Sequence, residues 1–361
     1  MTSGPVRYAV LVSGRARRRE DIAAGREPRR DYLDLADALG AELIEAGSGR
    51  AAWAGGRAAL AAFRRRADYD VIVTLNERSG VPLAIFLTLS RVSKSHVMIA
   101  HWVSPAKKRI PIRWLRAANA IDRLVVFGSA QERVAIGELG FPSTKVEMVL
   151  HPADHRFWRP LGLPQSGICS AGLERRDYET LLEAVRDLDL ELTIAAANPW
   201  SKDDPLSRAA LPPNVIARRC DYRELRELYD RSEFVVVPLH DVDFQAGSLV
   251  MYEAMAMGKA VIATQTRSHA FGDIVRDGET GLLVPPNDPH ALRDAIERLH
   301  RDPDQARRLG ANARRTVERG LNHDEYVRRM VGIVRDVGRE ARPIAARAAT
   351  APSSANLAAP D

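Results

Sequence analysis

The segment Phe244 to Thr264, FQAGSLVMYEAMAMGKAVIAT, is the feature that most constrains the fold. It follows an apolar run, Phe234 to Leu239, whose β-branched residues favour a strand buried on both faces. After the small residues 246–248 the apolar spacing becomes helical and stops at Gly258, and a second strand-like run begins at Ala260. The predicted unit is strand, glycine loop, helix and strand. Amides at the start of such a helix lack intrahelical partners and lie at the positive end of its dipole, so an anion such as phosphate can bind there.

The same segment is similar to the nucleotide-sugar motif of retaining glycosyltransferases of the GT-B fold, the group 1 or family 4 type. In that motif two acidic residues flank a glycine-containing loop; here Glu253 is the second acid, and Gln245 replaces the first. Asp277 to Val284, DGETGLLV, and Gly172 to Ala184, GLERRDYETLLEA, resemble two further segments of the family. The resemblance covers most of 167–319 and is looser over the first half of the chain.

Strand-like and helical segments alternate throughout, which predicts an α/β fold with parallel sheets. A length of 361 residues suits two domains. The resemblance implies GT-B architecture, meaning two Rossmann-like, doubly wound domains that face a cleft. The predicted parts are an N-terminal acceptor domain, 1–155, a proline-rich linker, 156–166, and a nucleotide-sugar domain, 167–323. A helix at about 324–342 then returns to the first domain, and a disordered tail, 343–361, follows it.

Composition narrows the cellular setting. Cys169 and Cys220 lie in apolar or strand-like surroundings, so we expect no disulfide framework and a cytoplasmic protein. The N-terminal sequence lacks the pattern of a signal peptide, and no apolar run reaches the length of a membrane span. The net charge of +6 comes from an excess of arginine. Because arginine and alanine also accumulate in GC-rich bacterial genomes, we favour that origin and expect no binding to nucleic acid.

Two basic clusters, 15–19 and 107–116, have two interpretations. Trp114 lies within the second cluster, and an apolar, basic surface can contact lipid head groups, as in peripheral glycosyltransferases. A solvated basic face is the simpler alternative. The sequence therefore leaves open a peripheral contact with a membrane.

The donor residues follow from the position of the loops. In doubly wound domains, ligands bind outside the carboxyl ends of the strands. By resemblance, Glu253 accepts hydrogen bonds from ribose hydroxyls, the amides of Gly247, Ser248 and Leu249 hold the pyrophosphate or the sugar, and Gln245 faces the transferred hexose. An amide can accept a hydrogen bond but cannot carry charge or act as a base. The sugar and the rate therefore stay open.

Cations are needed because charge on the leaving diphosphate is the main electrostatic cost of the reaction. The resemblance places Arg176 at the position of a family lysine, with Arg175 beside it and Gly172 at the start of the segment. Leu173 stands where the family has an arginine. His101 ends the run HVMIAH, and a histidine of the family at this place contacts the donor sugar.

No metal or cofactor is expected besides the nucleoside diphosphate sugar, which acts as co-substrate. Asp241 and Asp243 have the spacing that binds manganese in the other main glycosyltransferase fold, but here helix amides and arginines already supply positive charge. Cysteines and histidines lack zinc spacing, and neither a P-loop nor a GxSxG motif is present. The remaining histidines near the predicted cleft have no assigned role: His151, His155, His240 and His269.

The sequence thus predicts transfer of a hexosyl unit from a nucleoside diphosphate sugar to an acceptor hydroxyl, and the resemblance implies retention of configuration. One alternative is a nucleotide-sugar isomerase or hydrolase on the same fold. Another is a binding module without turnover. The base, the sugar, the oligomeric state and the acceptor, which could be a lipid, a saccharide or a small molecule, are not encoded in a readable motif.

Overall fold

The structure, a computed structural model, describes residues 5–12, 19–45, 51–102, 112, 117–196, 211–269 and 272–349. It contains two six-stranded sheets, and the strand pairs of both sheets are parallel. The predicted α/β fold with two doubly wound halves is therefore confirmed. Apart from Arg19 and Ile112, the basic clusters at 15–19 and 107–116 lie outside the described residues. Arg19 forms an exposed ion pair with Asp37.

The first sheet has the strand order β2-β1-β3-β4-β5-β6. The central strands β1, β3, β4 and β5 are buried along most of their length, which is typical of a sheet covered on both faces, whereas the edge strands β2 and β6 are only partly buried. The strands are β1 Tyr8–Val12, β2 Glu42–Glu45, β3 Val71–Thr74, β4 Ser95–Ala100, β5 Arg123–Val126 and β6 Val146–Met148. The helices are α1 Arg19–Ala23, α2 Asp31–Leu39, α3 Ala51–Arg64, α4 Glu77–Leu89 and α5 Ser129–Arg133, which continues as a π-helical turn, Val134–Glu138.

The second sheet has the strand order β12-β11-β10-β7-β8-β9. The chain adds β8 and β9 on one side of β7 and then β10, β11 and β12 on the other side, so the strand order reverses between the parallel neighbours β7 and β10. Ligands of open α/β sheets bind at such a reversal, outside the carboxyl ends of the strands. The strands are β7 Ile168–Ala171, β8 Leu192–Ala195, β9 Val215–Ala217, β10 Val235–Val237, β11 Val261–Thr264 and β12 Gly281–Val284. The helices are α6 Tyr178–Val185, α7 Tyr222–Arg231, α8 Ser248–Ala256, α9 Pro289–Arg301 and α10 Pro303–Gly320.

The last helix, α11 His323–Ala349, returns to the first half. Its buried apolar residues pack into the same cluster as Val10 and Val73 of the first sheet: Tyr326, Met330, Val334 and Val337. The helix continues past Pro343 to Ala349, in a stretch whose alanine and arginine residues favour helix. Residues 350–361 lie outside the described part. No helix of the described chain combines the length and the apolar character that a membrane span requires.

Helix α4 begins at Glu77 and contains Pro82. The side chain of Asn76 accepts a hydrogen bond from the backbone amide of Ser79 at 3.2 Å and so caps the helix upstream of the proline. Asparagine is a strong helix cap, so the helix can begin more than one turn before the proline, although proline is most frequent in a first turn.

Polar contacts join the two halves next to the linker. Arg29 donates its backbone amide to Asp154 Oδ2 at 2.8 Å and its Nη1 to Asp324 Oδ1 at 2.8 Å. The neighbouring Arg30 donates to the hydroxyl of Tyr222 in the second half, also at 2.8 Å. The linker and the start of α11 are thus fixed to one loop of the first half.

Candidate active site

The loops that follow β7 and β10 lie side by side at the reversal of the second sheet. Arg176 and Leu239 form an isolated antiparallel bridge between them, and the amide of Asp177 donates to the carbonyl of Pro238 at 3.2 Å. The two loops are therefore fixed to each other and form the floor of a crevice, which we call the loop crevice. It lies at the carboxyl ends of β7 and β10, where open α/β sheets bind their ligands.

Arg176 is the charged residue of this floor, and only 6% of it is exposed. Its Nε donates to the carbonyl of Ala171 at 2.8 Å and its Nη1 to that of Glu174 at 2.9 Å. Among the described residues it has no carboxylate partner within ion-pair distance. Burial lowers its pKa, as expected for a cation removed from water. A buried, unpaired cation is costly, and a bound anion would compensate it.

Two glycines make room for this guanidinium. A Cβ added to Gly172 would lie 2.5 Å from Nη2 of Arg176, and one added to Gly247 would lie 3.3 Å from Nη1. Both glycines also have positive φ angles, 91° and 78°, which other residues rarely adopt. The structure therefore brings together Arg176, Gly172 and Gly247, three residues of the predicted donor site.

Helix α8 points its first turn at the same place. Gly247 is its N-cap, and no described side chain caps the helix. The amides of the first turn lie at the positive end of the helix dipole. Ser248 is buried in this turn, and Leu249 is exposed.

Glu253 lies further along α8 and is half-buried. The hydroxyl of Tyr229 donates to its Oε2 at 3.0 Å. Burial raises the pKa of Glu253 to about 7, although the Tyr229 hydrogen bond and the charges of Arg30 and Arg176 act in the opposite direction. A carboxylate so placed can accept hydrogen bonds from hydroxyl groups once it is ionised.

Gln245 occupies the boundary between the halves. It is 9% exposed, and within the described part of the chain neither its amide oxygen nor its amide nitrogen has a hydrogen-bond partner. A side chain at position 128 would collide with its amide nitrogen, so Gly128 of the first half leaves room for it. A buried amide without partners is expensive unless a ligand satisfies it.

His101 lies opposite, at the end of β4. Its Nε2 is 3.1 Å from the carbonyl of Leu75, and its Nδ1 is 3.4 Å from Nε2 of His151. His151 stacks on Phe127 with ring centroids 3.7 Å apart. The sequence gives His151 no role because a single histidine after a strand has no spacing to identify it.

Arg175, the neighbour of Arg176, has an exposed side chain and a positive φ of 58°.

The two aspartates with metal-like spacing have protein partners. Asp241 accepts from the amide of Arg267 at 2.8 Å and pairs with its Nε at 3.0 Å. Asp243 accepts from the indole of Trp102 at 3.0 Å. Within the described residues, no cluster of three histidine, cysteine or acidic side chains suits a metal ion.

The Trp102 contact also brings His101 close to the loop between β10 and α8, which contains Gln245 and which we call the donor loop. The rings of Trp102 and Phe244 pack against each other at a tilt, with centroids 4.7 Å apart, so the neighbours of His101 and Gln245 touch across the cleft. A second bridge joins Ser129 to Asp273. The two halves therefore face each other in a closed arrangement.

A separate cavity of 590 Å³ lies beside this bridge, between the loop 272–279 and helix α10. Its lining includes Asp273, Arg276, Arg315 and Arg319, and none of the predicted donor residues. We place the candidate site at the loop crevice because the buried guanidinium of Arg176 and the buried amide of Gln245 lie there.

The fold and the crevice can be compared with known proteins. Over 92% of this chain and 99% of the other, the structure is similar to sucrose-phosphate synthase from Thermosynechococcus elongatus, with a TM-score of 0.72 and 20% identity. It is also similar to Anabaena HepE in complex with UDP-glucose, over 91% and 99% of the two chains, with a TM-score of 0.68 and 14% identity. The architecture is that of the GT-B glycosyltransferases.

Residues 168–302 match the family described as glycosyl transferases group 1. The D-inositol 3-phosphate glycosyltransferase of Thermomonospora curvata is 34% identical over 297 residues, 71% of this chain and 66% of that protein. The chain belongs to the group 1 glycosyltransferase family, as the sequence motifs predicted. It spans about half the length of other relatives that it matches, 45% and 54% of two of them.

Proposed function

We propose that the protein transfers a hexosyl unit from a nucleoside diphosphate sugar to an acceptor hydroxyl, with retention of anomeric configuration. The observation that carries the proposal is Arg176, a buried guanidinium held between Gly172 and Gly247 at the start of α8; no described carboxylate pairs with it, and no described side chain caps the helix. This place suits the diphosphate of a donor, because the amides and the guanidinium both favour negative charge.

The donor would lie along α8. Its diphosphate would contact Arg176 and the first amides of the helix, its ribose would donate to Glu253, and its sugar would face Gln245 and the first half. Negative charge on the diphosphate grows as the glycosidic bond breaks, so a fixed guanidinium stabilises the transition state more than the ground state.

Retention does not require a nucleophile from the protein. The leaving phosphate oxygen can receive the proton of the acceptor hydroxyl on the face from which the phosphate departs. The new glycosidic bond then forms on that same face. His101 would orient a hydroxyl of the donor from the opposite side of the cleft, a role that the resemblance implies.

The test is a nucleotide-release assay with UDP, GDP, ADP and TDP sugars, each with and without a panel of polyol, saccharide and lipid acceptors. We expect one donor to release nucleotide in an acceptor-dependent manner, with an α-linked product from an α-linked donor. Release at the same rate without any acceptor would indicate a hydrolase, and isomerised donor would indicate an isomerase. Arg176→Ala is the control for a contaminating activity.

A further inference from the structure

His269 is a buried histidine next to the donor loop that the proposed mechanism does not use. It lies in the loop that follows β11, and it is 5% exposed. Burial lowers its pKa to about 4; Asp273 raises it and Arg176 lowers it, so the ring lies within the influence of both charges. His269 is therefore a neutral imidazole beside the proposed diphosphate site.

A chain of hydroxyl groups determines which ring nitrogen carries the proton. Ser268 Oγ donates to the carbonyl of Phe244 at 2.8 Å, which uses its only proton. The contact of 2.9 Å between Thr266 Oγ1 and Ser268 Oγ must then use the proton of Thr266. Nδ1 of His269, 2.8 Å from Thr266 Oγ1, must in turn be the donor of that contact.

The opposite tautomer would leave the two hydroxyls without a proton between them. His269 consequently carries its proton on Nδ1, and its Nε2 is a lone-pair acceptor. This Nε2 is buried and has no hydrogen-bond partner among the residues that the structure describes.

The same chain ties His269 to the donor loop. Phe244, whose carbonyl ends the chain, precedes Gln245, whose amide likewise has no hydrogen-bond partner among the described residues. The hydrogen bond between Ser268 and Phe244 thus has His269 next to one partner and Gln245 next to the other, and both are uncharged side chains with unsatisfied polar atoms. Leaving them unsatisfied is costly, whereas a ligand hydroxyl that donates to Nε2 removes that cost for the histidine.

We propose that Nε2 of His269 accepts a hydrogen bond from a hydroxyl group of the transferred sugar, and that His269 and Gln245 together form an uncharged site that recognises this sugar. The inference rests on the proposed function and adds a specificity-determining residue to it. A site built to hydrogen-bond a hydroxyl strongly rejects analogues that lack it. The histidine therefore selects among sugars and contributes nothing to the binding of the nucleotide alone.

The experiment measures dissociation constants by calorimetry for UDP, GDP, ADP and TDP and for their glucose and mannose esters. The proteins are the parent, His269→Ala, and His290→Ala as a matched control, an exposed histidine on α9. We expect His269→Ala to bind the free nucleotide like the parent and to bind the preferred nucleotide sugar roughly tenfold more weakly. His290→Ala should match the parent in both.

The donor and acceptor roles are separated with ring-deoxy and deoxyfluoro analogues of the sugar that binds best. Fluorine cannot donate a hydrogen bond, so at one ring position both analogues should bind the parent about tenfold more weakly. His269→Ala should bind these analogues and the unmodified sugar equally. Thr266→Val removes the acceptor of Nδ1. It should weaken binding of the nucleotide sugar less than His269→Ala does and leave binding of the free nucleotide unchanged.

Equal losses for nucleotide and nucleotide sugar, or no loss for either, would overturn the role of His269 while leaving the proposed function intact. If the variants do not fold, the parent decides: tight binding of every deoxyfluoro analogue would also overturn it. Failure of the parent to bind any of the nucleotides would remove the proposed function itself.

Discussion

The carboxylate of Asp273, in the second half, caps the helix that begins at Ser129 in the first half. Oδ2 lies 2.9 Å from the backbone amide of Ser129 and Oδ1 lies 2.7 Å from its hydroxyl. An anion at a helix start is stabilised by the free amides and by the helix dipole. This contact therefore links the two halves directly across the cleft.

Removing this carboxylate should favour an open form. We expect Asp273→Ala to lose roughly 1.5–3 kcal/mol of closing free energy, the usual cost of a hydrogen bond to a charged group. The measurement is the radius of gyration by small-angle X-ray scattering, which should rise relative to the parent. Asp304→Ala, which removes an exposed carboxylate paired with Arg307 on α10, is the control. An unchanged radius for Asp273→Ala would show that other contacts hold the halves together.

Glu253 should make the stability of the unliganded protein depend on pH. Because its folded pKa is about 7 and its ordinary value is 4.5, the folded form holds a proton in this window that the unfolded chain has released. Stability should therefore fall as pH rises from 4.5 to 7, by up to about 3 kcal/mol, and this loss should be absent in Glu253→Gln.

Urea denaturation at pH 5 and pH 8 measures this difference. Glu179→Gln, on the exposed face of α6, is the matched control and should follow the parent. Glu253→Ala tests the donor site, since loss of this acceptor should weaken nucleotide binding about ten- to a hundredfold. Identical pH profiles for the parent and Glu253→Gln would contradict the buried, protonated carboxyl.

The adjacent arginines should have separable effects on kinetics. Arg176 is buried beside the diphosphate position, so Arg176→Ala should lower kcat by roughly a hundredfold or more, as loss of an oxyanion donor does. Arg175 has an exposed side chain, and if it binds the donor as the resemblance implies, Arg175→Ala should mainly raise KM. A normal kcat with a raised KM in Arg176→Ala would make Arg176 a binding residue only.

Turnover should not need a divalent metal. Asp241 and Asp243 already accept hydrogen bonds from Arg267 and Trp102, and Arg176 supplies charge at the diphosphate position. We expect full activity in the presence of EDTA and nearly full activity for Asp243→Asn, whose amide oxygen can still accept from the indole of Trp102. Activity that is lost with EDTA and restored by manganese would overturn this mechanism without affecting the fold.

The sheets could be predicted from sequence because their strands are continuous β-branched runs, such as Val71–Thr74 and Val235–Val237, buried on both faces. The donor loop could be predicted because glycine, helix and acid follow each other within one segment. His151 and His269 could not, since each owes its position to contacts with distant loops. Gln245 was identified, but its place against Gly128 depends on how two separately folded halves meet.

The central claim is that a nucleoside diphosphate binds at Arg176. Thermal unfolding of the parent and of Arg176→Ala with UDP, GDP, ADP and TDP tests it most directly, because a ligand that binds only the folded state raises the melting temperature by mass action. We predict that one of these nucleotides raises the melting temperature of the parent and raises that of Arg176→Ala by clearly less. Equal shifts in both proteins, or no shift with any nucleotide, would contradict it.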